Sequence, residues 1–193
     1  MNWLLIQEKL KNRSAGIAGA GGLGSNCAAA LVRVGIGRLV ISDFDRVEES
    51  NLNRQFYFRD QIGQPKVEAL KTNLLRINPL LILEIHQVIL DSENIPELFS
   101  GVDVLFEAFD RAEQKAMIIE SALTTWPERP LIIGSGMAGF GDSNSIRMRS
   151  CGNLYICGDE SAEIGPEMPP LAPRVGIVAN MMANVGIDLL LNS

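Results

Sequence analysis

Gly19-Ala20-Gly21-Gly22-Leu23-Gly24 fits the pattern G-x-G-x-x-G, and Asp43 follows about 20 positions later. Each residue type has a use against a nucleotide. Gly19 permits a tight turn, Gly21 lets backbone approach a phosphate, and Gly24 lets the next helix pack close to the preceding strand. The first turn of that helix offers unpaired N–H groups and the positive end of a dipole, which suit an anion. Asp43 is placed to accept hydrogen bonds from ribose hydroxyls. The motif alone does not separate NAD from ATP. The charges beyond it bear on that choice. A dehydrogenase passes from its ribose acid straight into the next helix, whereas here the polar residues 44–64 intervene. They carry Arg54, and Lys66 follows them, so positive charge reaches the glycine-loop end of the chain's sheet. A triphosphate needs that neutralisation more than a dinucleotide does. Asp110 ends a later apolar run, and its carboxylate suits Mg²⁺ bridging phosphates or the cap of the next helix.

Those residues need elements that bring them to one edge. Residues 15–19 read as a strand running into the glycine turn, and 23–34 as a helix stopped by Gly35 and Gly37. Residues 38–43 read as a strand ending in acid. Pro65 opens a helix through about residue 76, ended before Asn78-Pro79. Residues 81–90, 102–108 and 131–135 read as strands, and 112–124 as a helix. Short strands are expected at 145–149 and 154–157. Residues 158–173 hold four prolines and read as a surface loop whose acids, Asp159, Glu160, Glu163 and Glu167, are solvated. Residues 175–191 close the chain as a helix.

This alternation predicts an α/β fold: a Rossmann-like, mostly parallel sheet with helices on both faces, plus late antiparallel strands and a C-terminal helix. Ligands of such sheets bind beyond the carboxyl ends of the strands, here after Gly19, Asp43, Ala108 and Ser135. In the last helix Asn180, Asn184 and Asp188 share one face. That stripe fits a helix packed on protein with one polar edge, and it is out of place in lipid. Val178, Met181, Met182 and Val185 form an apolar face suited to the core or to a second copy.

The 193 residues carry 17 Lys and Arg against 23 Asp and Glu, a net charge of -6. That argues against non-specific nucleic-acid binding. His86 is the only histidine, placed in an edge strand, so Ser-His-Asp and two-histidine metal chemistry have little to stand on. Cys27, Cys151 and Cys157 are too few and too scattered for a disulfide scaffold. Cys27 reads as a core residue of its Ala-rich helix and the other two as strand residues. Gln7, Glu8, Lys9 and Lys11 interrupt the opening segment, so no signal peptide is expected and a cytoplasmic setting is.

Together, GAGGLG at 19–24, Asp43-Phe44-Asp45, VEESNLNRQ at 47–55, the Gly63-x-x-Lys66 element and Glu107-Ala108-Phe109-Asp110 resemble the ThiF/MoeB/HesA family, relatives of the ubiquitin-activating enzymes. The likeness runs over residues 13–190, and Ser-Asn-Leu-x-Arg-Gln is its most specific string. Residues 107–115, 135–139 and 172–176 look closest to the short ThiF subfamily of thiamine biosynthesis. The resemblance implies one adenylyltransferase domain over 1–193, with a crossover loop at about 158–173. It implies ATP-dependent adenylation of the C-terminal glycine carboxylate of a small ubiquitin-like sulfur carrier ending in Gly-Gly. ATP and Mg²⁺ would be the cofactors, and the enzyme a homodimer without nucleic-acid or membrane partners.

Carried over by position, the resemblance puts Gly22 and the rest of the loop (Gly19, Gly21, Gly24) against the phosphates and Asp43 on the ribose. Asn51 and Arg54 would reach phosphate, Gln55 would position the loop, Lys66 would contact the phosphates and Asp110 would support Mg²⁺. The attacking carboxylate is ionised at pH 7, so no general base is required. Many relatives hold zinc on two C-x-x-C pairs. Cys151 and Cys157 are separated by five intervening residues without a second pair, so no zinc site is expected. The loop 158–173 has no cysteine for a covalent link to the carrier. The Arg-Tyr-x-Arg-Gln arm of larger relatives has no counterpart here. The alternatives are a molybdopterin-carrier adenylyltransferase, a tRNA threonylcarbamoyladenosine dehydratase, an NAD-binding oxidoreductase, and a nucleotide-binding scaffold without turnover.

Overall fold

The computed structural model describes residues 1–162 and 164–192, so Glu163, one of the loop acids, lies outside the described residues. Helix α1 (Trp3–Leu10) opens the chain, capped by Asn2, whose side chain accepts from the Leu5 N–H at 3.0 Å. Its apolar residues left no legible stripe, because Leu4 and Leu5 are exposed and Leu10 alone is buried. Strand β1 (Ser14–Ala18), helix α2 (Gly22–Arg33), strand β2 (Arg38–Ser42), helix α3 (Lys66–Ile77) and strand β3 (Ile82–His86) follow. Next come helix α4 (Asn94–Leu98), strand β4 (Val104–Glu107), helix α5 (Ala112–Thr125) and strand β5 (Leu131–Gly134). Strands β6 (Arg147–Cys151) and β7 (Leu154–Gly158) and the long helix α6 (Ala172–Asn192) complete the order.

The seven strands form one sheet in the order β3-β2-β1-β4-β5-β7-β6. All pairs are parallel except β6 with β7, as the alternation predicts. Successive residues of the inner strands feed opposite faces, the period-two rule of a sheet buried on both sides. Ile17, Leu39, Ile41, Phe106 and Ile132 join one core with residues of α2, α3 and α6. Val40, Leu105, Leu131 and Ile133 join the other with residues of α4 and α5. Val178, Met182 and Val185 of α6 belong to the first core, so that apolar face is interior. Asn180, Asn184 and Asp188 are exposed along the opposite edge. The helix is long and apolar enough to cross a membrane by length and composition, but its apolar face is spent on the sheet.

The chain leaves β1 toward β2 and β3, then returns to pair β4 on the other side of β1. The crevice of such a sheet opens at this switch point. The main differences from the sequence reading lie in β3, β6, α6 and α4. Strand β3 stops at His86, half-buried on the sheet's edge, because its partner β2 ends at Ser42 and residues 87–90 have nothing to pair with. Strand β6 is displaced to 147–151, the register at which Arg147 faces Gly158. Helix α6 begins at Ala172, which shortens the crossover loop, and α4 had no sequence signal of its own.

The loop acids are the larger correction. Asp159, expected in solvent, is buried against Arg174 of the first turn of α6, with side chains 4% and 6% exposed. Its Oδ1 accepts from the N–H groups of Ser161 and Ala162, both at 2.7 Å. Burial alone would raise this carboxyl, but those N–H groups and the Arg174 guanidinium hold it at about 2. The turn that launches the loop needs an acceptor for its amides, and the buried guanidinium needs a counter-charge. Glu160 is also paired, its carboxylate 2.6 Å from Arg149. Glu167 is exposed, as expected.

Candidate active site

A cavity of about 1000 Å³ lies over the carboxyl ends of β1, β2, β4 and β5. The glycine loop forms its floor. Gly19 takes φ +100°, and a Cβ there would stand 2.9 Å from the Ala108 carbonyl oxygen. A Cβ on Gly24 would stand 1.8 Å from the Gly19 oxygen, closer than any packing allows. Gly24 therefore shapes the loop from behind while Gly19, Gly21 and Gly22 line the cavity. Gly24→Ala is expected to cost about 1–3 kcal/mol by overpacking, read as a lower urea midpoint. An unchanged midpoint would mean that the turn relaxes freely around Gly24.

Asp43 stands half-buried just after β2 on the cavity wall. One carboxylate oxygen accepts from the Ala20 N–H at 2.6 Å and the other from the Asp45 N–H at 2.8 Å. Burial raises its pKa above the ordinary range, with the Lys66 charge and both N–H bonds opposing. Each oxygen keeps a lone pair for a hydroxyl. Lys66 opens α3, where it is 6% exposed and 2.8 Å from Asp45. Arg54 lies over the glycine loop: a Cβ on Gly22 would meet its Cγ at 3.6 Å. Its guanidinium donates to the Asn53 side chain at 2.7 Å and the Ser50 carbonyl at 3.2 Å. Gln55 also lines the cavity.

Asn51 does not line it, contrary to the sequence reading. Its side-chain oxygen accepts from the Glu48 N–H at 3.0 Å and closes the short 3₁₀ turn Glu49–Asn51. At 8% exposed Asn51 lies behind the wall, with its Nδ2 turned toward Ser50 Oγ at 3.4 Å. Asn53, two positions on, faces the cavity instead. Asp110 is exposed on the cavity rim. The cap position of α5 falls on Arg111, not on Asp110.

A buried pair beneath the rim carried no assignment from sequence. Glu107, fully buried at the end of β4, accepts from Lys115 Nζ at 2.8 and 2.9 Å and from the Phe109 N–H at 2.6 Å. Lys115 also donates to the Gly134 carbonyl at 2.9 Å. Burial raises the Glu107 carboxyl, and Lys115 opposes it. The pair ties β4, α5 and β5 together and holds the loop that presents Asp110. The signal was an acid at a strand end followed eight residues later by a lysine in the next helix's first turns. Cys27 and Cys157 are buried and Cys151 is exposed. Among the described residues no three metal-ligating side chains gather.

The cavity can therefore hold a polyanion on backbone amides, with Arg54 and Lys66 at its wall, Arg111 and Lys115 also among its lining residues, and the Asp110 carboxylate at its rim. The sequence pattern of the ThiF family matches residues 4–193. A Salmonella typhimurium molybdopterin-synthase adenylyltransferase is 31% identical over 189 residues, covering 95% of this chain and 75% of that protein. A sulfur carrier protein adenylyltransferase of Thermus thermophilus is 36% identical over 130 residues, covering 67% of this chain and 47% of its own length. Among solved structures, E. coli tRNA N6-threonylcarbamoyladenosine dehydratase in complex with ATP aligns with TM-score 0.87 at 20% identity, over 97% of this chain and 89% of that one. The last likeness speaks to the fold alone.

Proposed function

The chain belongs to the ThiF family, and on that premise we propose that it transfers AMP from ATP to the C-terminal carboxylate of a small ubiquitin-like sulfur carrier ending in Gly-Gly. The observation that carries this reading is the convergence of Asp43, Arg54, Lys66 and Asp110 on one cavity around the glycine loop. Asp43 takes the ribose. Phe44, Val88, Leu90 and Phe109, on the same cavity wall, offer apolar surface to the base. The loop amides, Arg54 and Lys66 take the phosphates. The carrier carboxylate attacks the α-phosphorus; the new O–P bond forms as the bond to the bridging oxygen breaks, and pyrophosphate leaves with that electron pair. Negative charge grows on the leaving group, where Arg54 and Lys66 stabilise it.

A magnesium ion fits this donor set. Asp110 is exposed at the rim, and Mg²⁺ bound to a nucleotide needs one or two protein carboxylates, its other ligands being phosphates and water. When bound, it would neutralise phosphate charge. The cavity continues on the β5 side past Ser135 and Met137 to Ile164, Pro169 and Pro170. An extended tail of glycines fits beside such residues, where larger side chains would clash. The net charge of -6 favours a protein carrier over an RNA substrate. The resemblance at 107–115, 135–139 and 172–176 favours thiamine biosynthesis as the pathway, and the likeness to the family as a whole favours a homodimer as the assembly.

The test is ATP–pyrophosphate exchange with and without a Gly-Gly-ended carrier, with calorimetry of ATP and NAD. Exchange should require the carrier, and ATP with Mg²⁺ should bind more tightly than NAD. Asp110→Asn should weaken the Mg²⁺-dependent part of ATP binding and leave AMP binding nearly unchanged. Tighter binding of NAD would overturn the reading.

A further inference from the structure

Three successive carbonyls of the glycine loop are each held by a side chain. Ala20 O accepts from Tyr57 Oη at 2.7 Å, Gly21 O from Ser25 Oγ at 2.6 Å and Gly22 O from Asn26 Nδ2 at 2.7 Å. The same three side chains belong to, or reach, the segment that carries Arg54. Asn26 Nδ2 donates to the Arg54 carbonyl at 2.8 Å. Ser25 Oγ accepts from the Phe56 N–H at 3.0 Å. Tyr57 is part of that segment and is 5% exposed. Helix geometry does not demand these bonds, since Gly21 O already accepts from the Ser25 N–H at 3.0 Å. None of the three side chains lines the cavity, so none touches a substrate there.

The arrangement has two physical consequences. Loop carbonyls occupied by protein donors are not left to repel an anion, while the loop amides remain for it. The backbone of Arg54 is also tied to Gly22, the residue over which its side chain lies. A cation serves a transition state only if it is already in place, and a displacement of about 1 Å can cost about 100-fold.

We propose that Ser25, Asn26 and Tyr57 are positioning residues that register Arg54 on the glycine loop, so that guanidinium and loop amides meet one polyphosphate together. The catalytic consequence rests on the adenylation reading; the tie itself does not.

A double-mutant cycle of Asn26→Ala and Arg54→Ala tests it. Asn26→Ala should lower kcat for pyrophosphate exchange by about tenfold and leave KM for ATP within about twofold. In the Arg54→Ala background the same change should cost less than about twofold, because the group it positions is gone. Equal losses in both backgrounds overturn the proposal. Tyr57→Phe, which removes one oxygen and keeps the ring in place, should follow the same pattern and serves if Asn26→Ala is unstable. Amide exchange without nucleotide reads the tie directly. Ser25→Ala, which removes the acceptor of the Phe56 N–H, should speed exchange at that N–H by about tenfold and spare β1 and β4. Unchanged exchange at Phe56 overturns the proposal. A wild-type protein that exchanges no pyrophosphate overturns only the adenylation reading, and the Phe56 result still decides the tie.

Discussion

Arg54→Ala is expected to slow carrier-dependent ATP–pyrophosphate exchange by at least about 100-fold, the loss seen when one preorganised donor to a developing charge is removed. The charge it meets grows as pyrophosphate departs, so kcat should fall more than KM for ATP. The fold should tolerate the change. Arg54 is half-buried, and among the described residues its guanidinium bonds to Ser50 and Asn53 of its own loop. Lys66→Ala should give a loss of similar size, but its reading needs a stability control. That lysine is 6% exposed and pairs with Asp45 at 2.8 Å, so its removal also empties a buried position and takes away the partner of Asp45. A urea midpoint measured on each variant separates the two effects. Wild-type exchange in the Arg54 variant would sink its assignment.

Asp159→Ala is expected to destabilise the protein by about 3–5 kcal/mol, because it leaves the buried Arg174 guanidinium without its counter-charge. Three hydrogen bonds from Ser161 and Ala162 are lost with it. A second change, Arg174→Met, should recover part of the loss by removing the stranded charge. Failure of that recovery would mean that the carboxylate matters for its turn and not for its pairing. The pair also sets an acid limit. A carboxyl held at about 2 when folded and about 3.9 when unfolded adds stability above pH 4. That stability drains away as pH falls through about 2. The contribution is roughly 2–3 kcal/mol, so wild-type urea midpoints should drop more steeply between pH 5 and pH 2 than those of Asp159→Asn.

The conformation of the glycine loop is legible in the sequence because its requirements are local. A residue at φ +100° and a Cβ contact of 1.8 Å both select glycine whatever else surrounds them. Asp43 was equally legible, since a strand of period two that ends in an acid places that acid at the sheet's carboxyl edge. The same periodicity foretold the parallel sheet and both its cores. Helix α1 and helix α4 escaped because one buries a single residue and the other is too short for a repeat to show.

The role of each polar side chain was settled only by what the fold brings against it. Asn51 looks like a phosphate ligand in the string Ser-Asn-Leu-x-Arg-Gln, yet its side-chain oxygen closes its own turn and the residue lies off the cavity wall. Asp159 sits among prolines and acids that suggest solvent, yet Arg174, 15 residues away, takes it into the interior. Tyr57 reaches Ala20 across 37 residues, and Lys115 reaches Gly134 across 19. Backbone sterics and hydrophobic period act between near neighbours, so they are written in the order of residues. A buried charge or hydroxyl is stable only with a partner, and that partner comes from another element that the packed sheet alone brings within 3 Å.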